Sequence, residues 1–212
     1  MDAFIHPHQF HHMKQQAKRV VSAQSHSNDQ QVIAAVKEIA FEELEKQLPD
    51  IEVDQHETLS SIRTMKAKED IDPFLEQVKQ YVIPFPLVSD KQIQKAFPKA
   101  KKLQIPDLEQ IDRKETVYLR WYDKGSGKTY MLIPKENKLI GIQGYLETSQ
   151  HKGICTICNG LEVVSLFTTE KKGQMRGTYS KKGNYMCKDP VICNQNITNI
   201  NPLHQFVEHL KA

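Results

Sequence analysis

Cys155-Thr156-Ile157-Cys158 and Cys187-Lys188-Asp189-Pro190-Val191-Ile192-Cys193 hold every cysteine of the 212-residue chain. The first pair has C-x-x-C spacing, which turns two thiolates and nearby backbone N–H groups toward one point. Asn159-Gly160 follows at once, and a glycine there lets the backbone close over the second sulfur without a Cβ clash. The second pair has C-x5-C spacing with Asp189-Pro190 just after its first sulfur. That predicts Cys187 at the end of a strand and Cys193 inside a short helix. Knuckle, hairpin and ligand-bearing helix are the plan of a treble-clef zinc finger. Four sulfurs make a closed tetrahedral shell around one structural Zn2+. Free or disulfide-linked cysteines are the competing reading. A disulfide framework does not suit a chain of this length without secretory features. A redox C-x-x-C would need a strand and helix around it, whereas the β-rich run Leu161–Phe167 follows.

Upstream of the finger the pattern alternates. Val117, Leu119 and Trp121 fall on one side of a strand and Tyr118, Arg120 and Tyr122 on the other. Asp123–Gly127 reads as a turn, 128–133 as a second strand, Pro134–Asn137 as a turn, and 138–146 as a third strand. The result is an antiparallel meander. Ser89-Asp90 caps a helix carrying Ile93, Ala96 and Phe97. Asn201-Pro202 caps a last helix carrying Leu203, Phe206, Val207 and Leu210.

The N-terminal part has helical periodicity instead. Pro7 opens a helix with Phe10, Met13, Ala17, Val20 and Val21 inside. Asn28 or Asp29 caps a second, burying Val32, Ile33, Val36, Ile39, Ala40, Leu44 and Leu48 and ending at Pro49-Asp50. A third covers 57–65 with Leu59, Ile62 and Met65. A fourth starts at Asp72-Pro73, buries Phe74, Leu75, Val78, Tyr81 and Val82, and stops at Pro84. The expected fold is α+β: an antiparallel four-helix bundle over 1–83, then an α/β domain over 84–212, with the finger core over 151–200. Pro84-Phe85-Pro86 marks the boundary.

Several stretches invite functional readings and lose them. Gly125-Ser126-Gly127-Lys128-Thr129 resembles the end of a phosphate-binding loop, but Tyr122 stands where the first glycine belongs and a strand, not a helix, follows Lys128. His6, His8, His11 and His12 read as a solvated helix face. Lys99, Lys101 and Lys102 read likewise. No nucleophile–base arrangement stands out, so an enzyme is not expected. No apolar run reaches the ~20 residues of a membrane span. No leader is visible, and zinc-binding thiols suit a reducing cytoplasm. The net charge of +3 is too small for wholesale nucleic-acid wrapping. Locally, though, Lys152, Lys171, Lys172, Arg176, Lys181, Lys182 and Lys188 outnumber Glu162, Glu170 and Asp189 around the cysteines, with Tyr179 and Tyr185 interleaved. A basic, aromatic surface suits either RNA or an acidic protein.

These residues also carry a family resemblance. Lys152–Asn159, Val164–Phe167, Lys181–Cys187 and Cys193-Asn194 resemble the FusB-type proteins, the fusidic acid resistance and elongation factor G-binding proteins of Gram-positive bacteria. His6-Pro7-His8-Gln9-Phe10 is similar to that family's opening and Tyr81–Phe85 to its domain junction. The resemblance implies a zinc-containing, non-enzymatic protein whose C-terminal domain binds elongation factor G. It implies release of the factor from ribosomes on which fusidic acid has stalled it, in resistance or in a related rescue role. The family's contacts map onto Ile154, Lys182, Tyr185 and Phe206. At the first position an aromatic is usual, and Ile154 departs from it. Phe206 shares its helical face with Val207 and Leu210, which is also the pattern of core packing. The rival reading is a zinc-finger module that binds ribosomal RNA directly.

Overall fold

The computed structural model describes residues 3–48, 52–100, 103, 105–136, 138–172 and 178–211. The chain divides into two compact units, Met1–Pro84 and Phe85–Ala212. The expected turns at Pro49-Asp50 and Asn137, the basic residues Lys101, Lys102 and Arg176, and the side chains of Lys171 and Lys172 lie outside what is described.

The first unit is helical. Pro7 occupies the first turn of α1 (Pro7–His26), where its missing N–H would be unpaired anyway. Gln9 Oε1 accepts from the His6 N–H at 2.8 Å. Three residues join α1 to α2 (Gln30–Gln47), whose cap is Asp29: its carboxylate accepts from the N–H groups of Gln31 and Val32. α3 (Val53–Ser60) starts earlier than its apolar spacing suggests and runs into a 3-10 turn, Ser61–Thr64. α4 (Ile71–Lys79) ends before Tyr81. Val82 has left the helix and forms a parallel bridge with Ile5. The helix thus stops well before Pro84, because the chain end at Phe4 and Ile5 takes the Tyr81 carbonyl.

Two burial expectations fail here. Val32 and Ile39 are exposed on α2, and Phe41, absent from the predicted face, is buried instead. Phe41 lies under the Arg63 guanidinium, 3.7 Å from the ring centroid, and Glu38 holds that Arg. His11 is buried rather than solvated. α1 packs against both α2 and α4, so its buried arc is wider than one apolar stripe and takes in His11 and Gln16.

The second unit is built on a six-stranded antiparallel arrangement. β1 (Leu119–Asp123), β2 (Lys128–Lys135) and β3 (Lys138–Leu146) form the meander. β4 (His151–Ile154), β5 (Leu161–Lys172) and β6 (Tyr179–Cys187) continue it in the order β1-β2-β3-β5-β4, with β6 on the other side of β5. Alternation in β1 is real, but both faces are covered at its start, where Leu119 and Arg120 are buried, and only further along does Tyr122 meet solvent. Leu119, Tyr130 and Leu132 face a cluster with Phe85, Ile93 and Phe97. Tyr118, Met131, Ile133 and Ile142 belong to a second cluster with Phe167, Leu203, Phe206 and Val207. The first cluster includes α5 (Asp90–Ala96), capped by Ser89; the second includes α7 (Asn201–Lys211). Two glycines in β3 make room. A Cβ on Gly141 would come within 2.4 Å of the Ala96 carbonyl, and one on Gly144 within 2.2 Å of the Thr168 carbonyl.

Gly125–Gly127 sits in the β1–β2 hairpin turn, where Asp123 accepts from the Ser126 N–H and hydroxyl. β2 begins at Lys128, so the phosphate-loop reading falls. No helix among the described residues is long and apolar enough to cross a membrane.

Candidate metal centre and docking surface

β4 ends at Ile154, and the chain turns through Cys155–Cys158. Asn159 closes the turn in the left-handed region, φ +58°. The strained position is therefore Asn159, a residue type that tolerates it, and not Gly160. The Asn159 N–H donates to Cys155 O at 2.9 Å, and the Cys155 N–H to Gly160 O at 3.0 Å. β6 delivers Cys187 at its end. Asp189 then caps α6 (Pro190–Asn196) through the N–H groups of Val191 and Ile192, and the helix carries Cys193.

The four Sγ atoms all lie within 4.8 Å of one another. Cys155 and Cys193 are 3.8 Å apart, Cys158 and Cys187 3.6 Å. These separations are too long for a disulfide. A regular tetrahedron with sulfurs ~2.3 Å from a zinc ion has edges of about 3.8 Å, so the donor set fits zinc. Without an ion the four would compete for protons. Hydrogen bonds from Cys158 and the other sulfurs hold the Cys155 thiol far below its usual range, while those with Cys155 push Cys187 and Cys193 far above theirs. A dication removes the conflict by taking all four as thiolates. Three of the sulfur-bearing residues are buried and Cys158 is half-buried, and a Cys187 N–H reaches Cys155 Sγ at 3.3 Å. The site is structural.

Two residues outside the cysteine pattern join this centre to the meander. Arg120 is buried in β1, and its guanidinium donates to the carbonyls of Cys187 and Lys188. Asn194 Oδ1 accepts from the N–H groups of Val117 (2.7 Å) and Tyr118 (3.1 Å), while Nδ2 donates to the carbonyls of Tyr118 (3.1 Å) and Pro190 (2.8 Å). Its amide thereby satisfies backbone that precedes β1 and has no strand partner. An arginine inside an alternating apolar strand was a readable signal of a buried charge needing acceptors. Nothing in the sequence marked Asn194.

The four residues expected to meet a partner fare differently. Tyr185 is 42% exposed. Its carbonyl accepts from the Thr156 N–H (3.0 Å) and hydroxyl (2.8 Å), which ties it to the knuckle. Its ring stands edge-on to His151 at 4.8 Å. Ile154 is exposed just before Cys155. Lys182 is half-buried opposite Thr169 on β5. It is three residues from Tyr185, so the two side chains leave β6 on opposite faces. Phe206 is a correction: it is 2% exposed and packs 6.2 Å from the Phe167 ring. Its helix face turns to the core, so it holds α7 in place and offers no surface. Of the local lysines, Lys152 and Lys188 are exposed, and Lys181 pairs with Glu170 at 3.1 Å. Tyr179 is exposed at the start of β6.

A helical unit followed by a strand-rich unit with a closed four-cysteine centre defines a treble-clef zinc-finger protein. Residues 4–86 match the family described as "Elongation factor G-binding protein, N-terminal", and residues 93–210 match "FBP C-terminal treble-clef zinc-finger". The chain belongs to this FBP family. A solved structure described as "Structure of the fusidic acid resistance protein FusC" is similar over 97% of each chain, at 32% sequence identity and a TM-score of 0.85. No curated protein sequence matches the chain.

Proposed function

We propose that this protein binds elongation factor G through its 85–212 unit and promotes release of the factor from the ribosome, giving fusidic acid resistance or a related rescue role in the cytoplasm. The family match and the full-length similarity to the resistance protein FusC support the reading. The observation that carries it is Tyr185: an exposed aromatic whose backbone is fixed to the zinc knuckle by two hydrogen bonds. In this reading Cys155, Cys158, Cys187 and Cys193 hold the ion, and the ion holds the knuckle. β6 pairs only with β5 among the described residues. A partner lying along its outer edge reaches Tyr185 on one face and Lys182 on the other, with Ile154 beside the knuckle. Phe206 supports from within.

No bond need be made or broken. The protein favours the state of the factor that leaves the ribosome by binding that state more tightly. The test is direct: the zinc-loaded chain and elongation factor G should co-elute on a sizing column. Tyr185→Ala should cost about 2 kcal/mol of binding, roughly thirtyfold in affinity, with melting and zinc content unchanged. No complex at micromolar concentration, together with steeply salt-dependent binding of ribosomal RNA, would favour the RNA-binding reading instead.

A further inference from the structure

The Tyr118 side chain abuts the zinc centre without being one of its ligands. It is fully buried, in the same cluster as Cys155, Cys187 and Cys193. Its hydroxyl makes no hydrogen bond of ordinary geometry with any described residue. A buried hydroxyl in that state costs stability, because it has given up water for nothing. The polar side chain it faces is that of Cys193. Asn194, next in the chain after Cys193, binds the Tyr118 main chain on both sides: Oδ1 accepts from the Tyr118 N–H at 3.1 Å, and Nδ2 donates to the Tyr118 carbonyl at 3.1 Å. Two residues on, the Arg120 guanidinium donates to the carbonyls of Cys187 and Lys188. The segment Tyr118–Arg120 is thus tied both to the end of β6 that bears Cys187 and to the helix that bears Cys193.

The sulfurs differ in what donates to them. Cys155 Sγ receives the Cys187 N–H at 3.3 Å. Cys193 Sγ, 3.8 Å from Cys155 Sγ, receives no N–H among the described residues. Its own N–H is engaged within α6, on the Asp189 carbonyl at 3.2 Å. A zinc-bound thiolate carries negative charge and free lone pairs, and it accepts hydrogen bonds far better than a thiol does. Zinc with four thiolates has a net charge of about −2, so a donor beside one of the sulfurs stabilises the buried centre.

We infer that Tyr118 is a positioning residue of the zinc centre, and that its hydroxyl donates to Cys193 Sγ when that sulfur ligates the ion. The bond fixes the orientation of the Cys193 side chain, draws negative charge from its sulfur and strengthens the hold on the metal. Metal binding in turn gives the buried hydroxyl its acceptor. The inference rests on the four-cysteine centre and does not depend on which partner the protein binds.

The experiment compares the full chain with its Tyr118→Phe variant, which keeps the ring and removes the oxygen. Zinc affinity, measured by competition with a chromogenic chelator, should fall about tenfold. With Co2+ in place of zinc, the sulfur-to-cobalt charge-transfer bands should move to longer wavelength, because Cys193 Sγ becomes more electron-rich. Melting of the zinc-loaded variant should fall. Lost packing alone would weaken the protein but leave the cobalt bands where they are. A change in zinc affinity of less than about threefold, or unmoved cobalt bands, overturns the inference. So does a raised melting temperature, which would mark the hydroxyl as an unpaired group whose removal is favourable. Should Tyr118→Phe fail to fold, the wild-type chain decides. Its Tyr118 hydroxyl proton should exchange slowly with water and change its NMR shift when cadmium replaces zinc; an unchanged shift overturns the inference.

Discussion

Replacing Asn194 by alanine removes one amide and leaves the zinc ligands untouched. The N–H groups of Val117 and Tyr118 then have no acceptor in a buried site, and the Tyr118 carbonyl loses its donor. A buried donor left unpaired costs about 1–3 kcal/mol, so two give an expected loss of about 4 kcal/mol. Domains of this size are stable by ~5–15 kcal/mol, so that loss is a large share. Urea unfolding of the zinc-loaded chain, followed by tryptophan fluorescence, measures it. The chain has one tryptophan, Trp121, half-buried against Phe97 and Tyr130. Its signal therefore reports the 85–212 unit alone. With a slope of ~2 kcal/mol per molar urea, the midpoint should fall by about 2 M. A midpoint shift below about 0.5 M at unchanged slope would refute the claim that this amide stitches the finger to the meander.

Metal analysis should find about one zinc per chain, and stripping it should abolish the Trp121 transition while most far-UV helicity remains; protein purified without chelator and found metal-free would sink the site. Cys187→Ser should behave as the stripped protein does. A fragment ending at Ile83 should stay helical and one starting at Phe85 should keep zinc, since the chain passes between units through Pro84 and Pro86; if neither is soluble, the two halves share one core. Burial lowers the His12 pKa, partly opposed by Glu43, so the folded state favours the neutral ring. Stability from His12 is then present above its unfolded value of about 6.5 and is lost as pH falls below it. The 1–83 fragment should weaken between pH 7.5 and 5.5, and His12→Gln should reduce that slope; an unchanged slope would remove His12 from the account.

Much of this protein was legible in its sequence because the signals are local. Ligand spacing, the Asp189-Pro190 and Ser89-Asp90 caps, and the switch from helical to alternating periodicity each depend on neighbours within a few residues. They determined the zinc centre, the helical half followed by a strand-rich half, and the family. Tertiary structure decided what depends on contacts between distant segments. Phe41 took the place expected for Val32 and Ile39 because Arg63 covers it from another helix. His11 was buried because α1 has two neighbours. Both faces of β1 were covered at Leu119 and Arg120 while Tyr122 was exposed, so alternation could not say which positions met water. Phe206 fits either a core or a surface on the same periodicity, and only its packing on Phe167, thirty-nine residues earlier in the chain, resolved it. Asn194 has a role only because the fold brings it to backbone seventy-six residues away. Periodicity reports that a side chain has an apolar or polar face; which element closes over that face is set by chain-distant packing, and no local pattern encodes it.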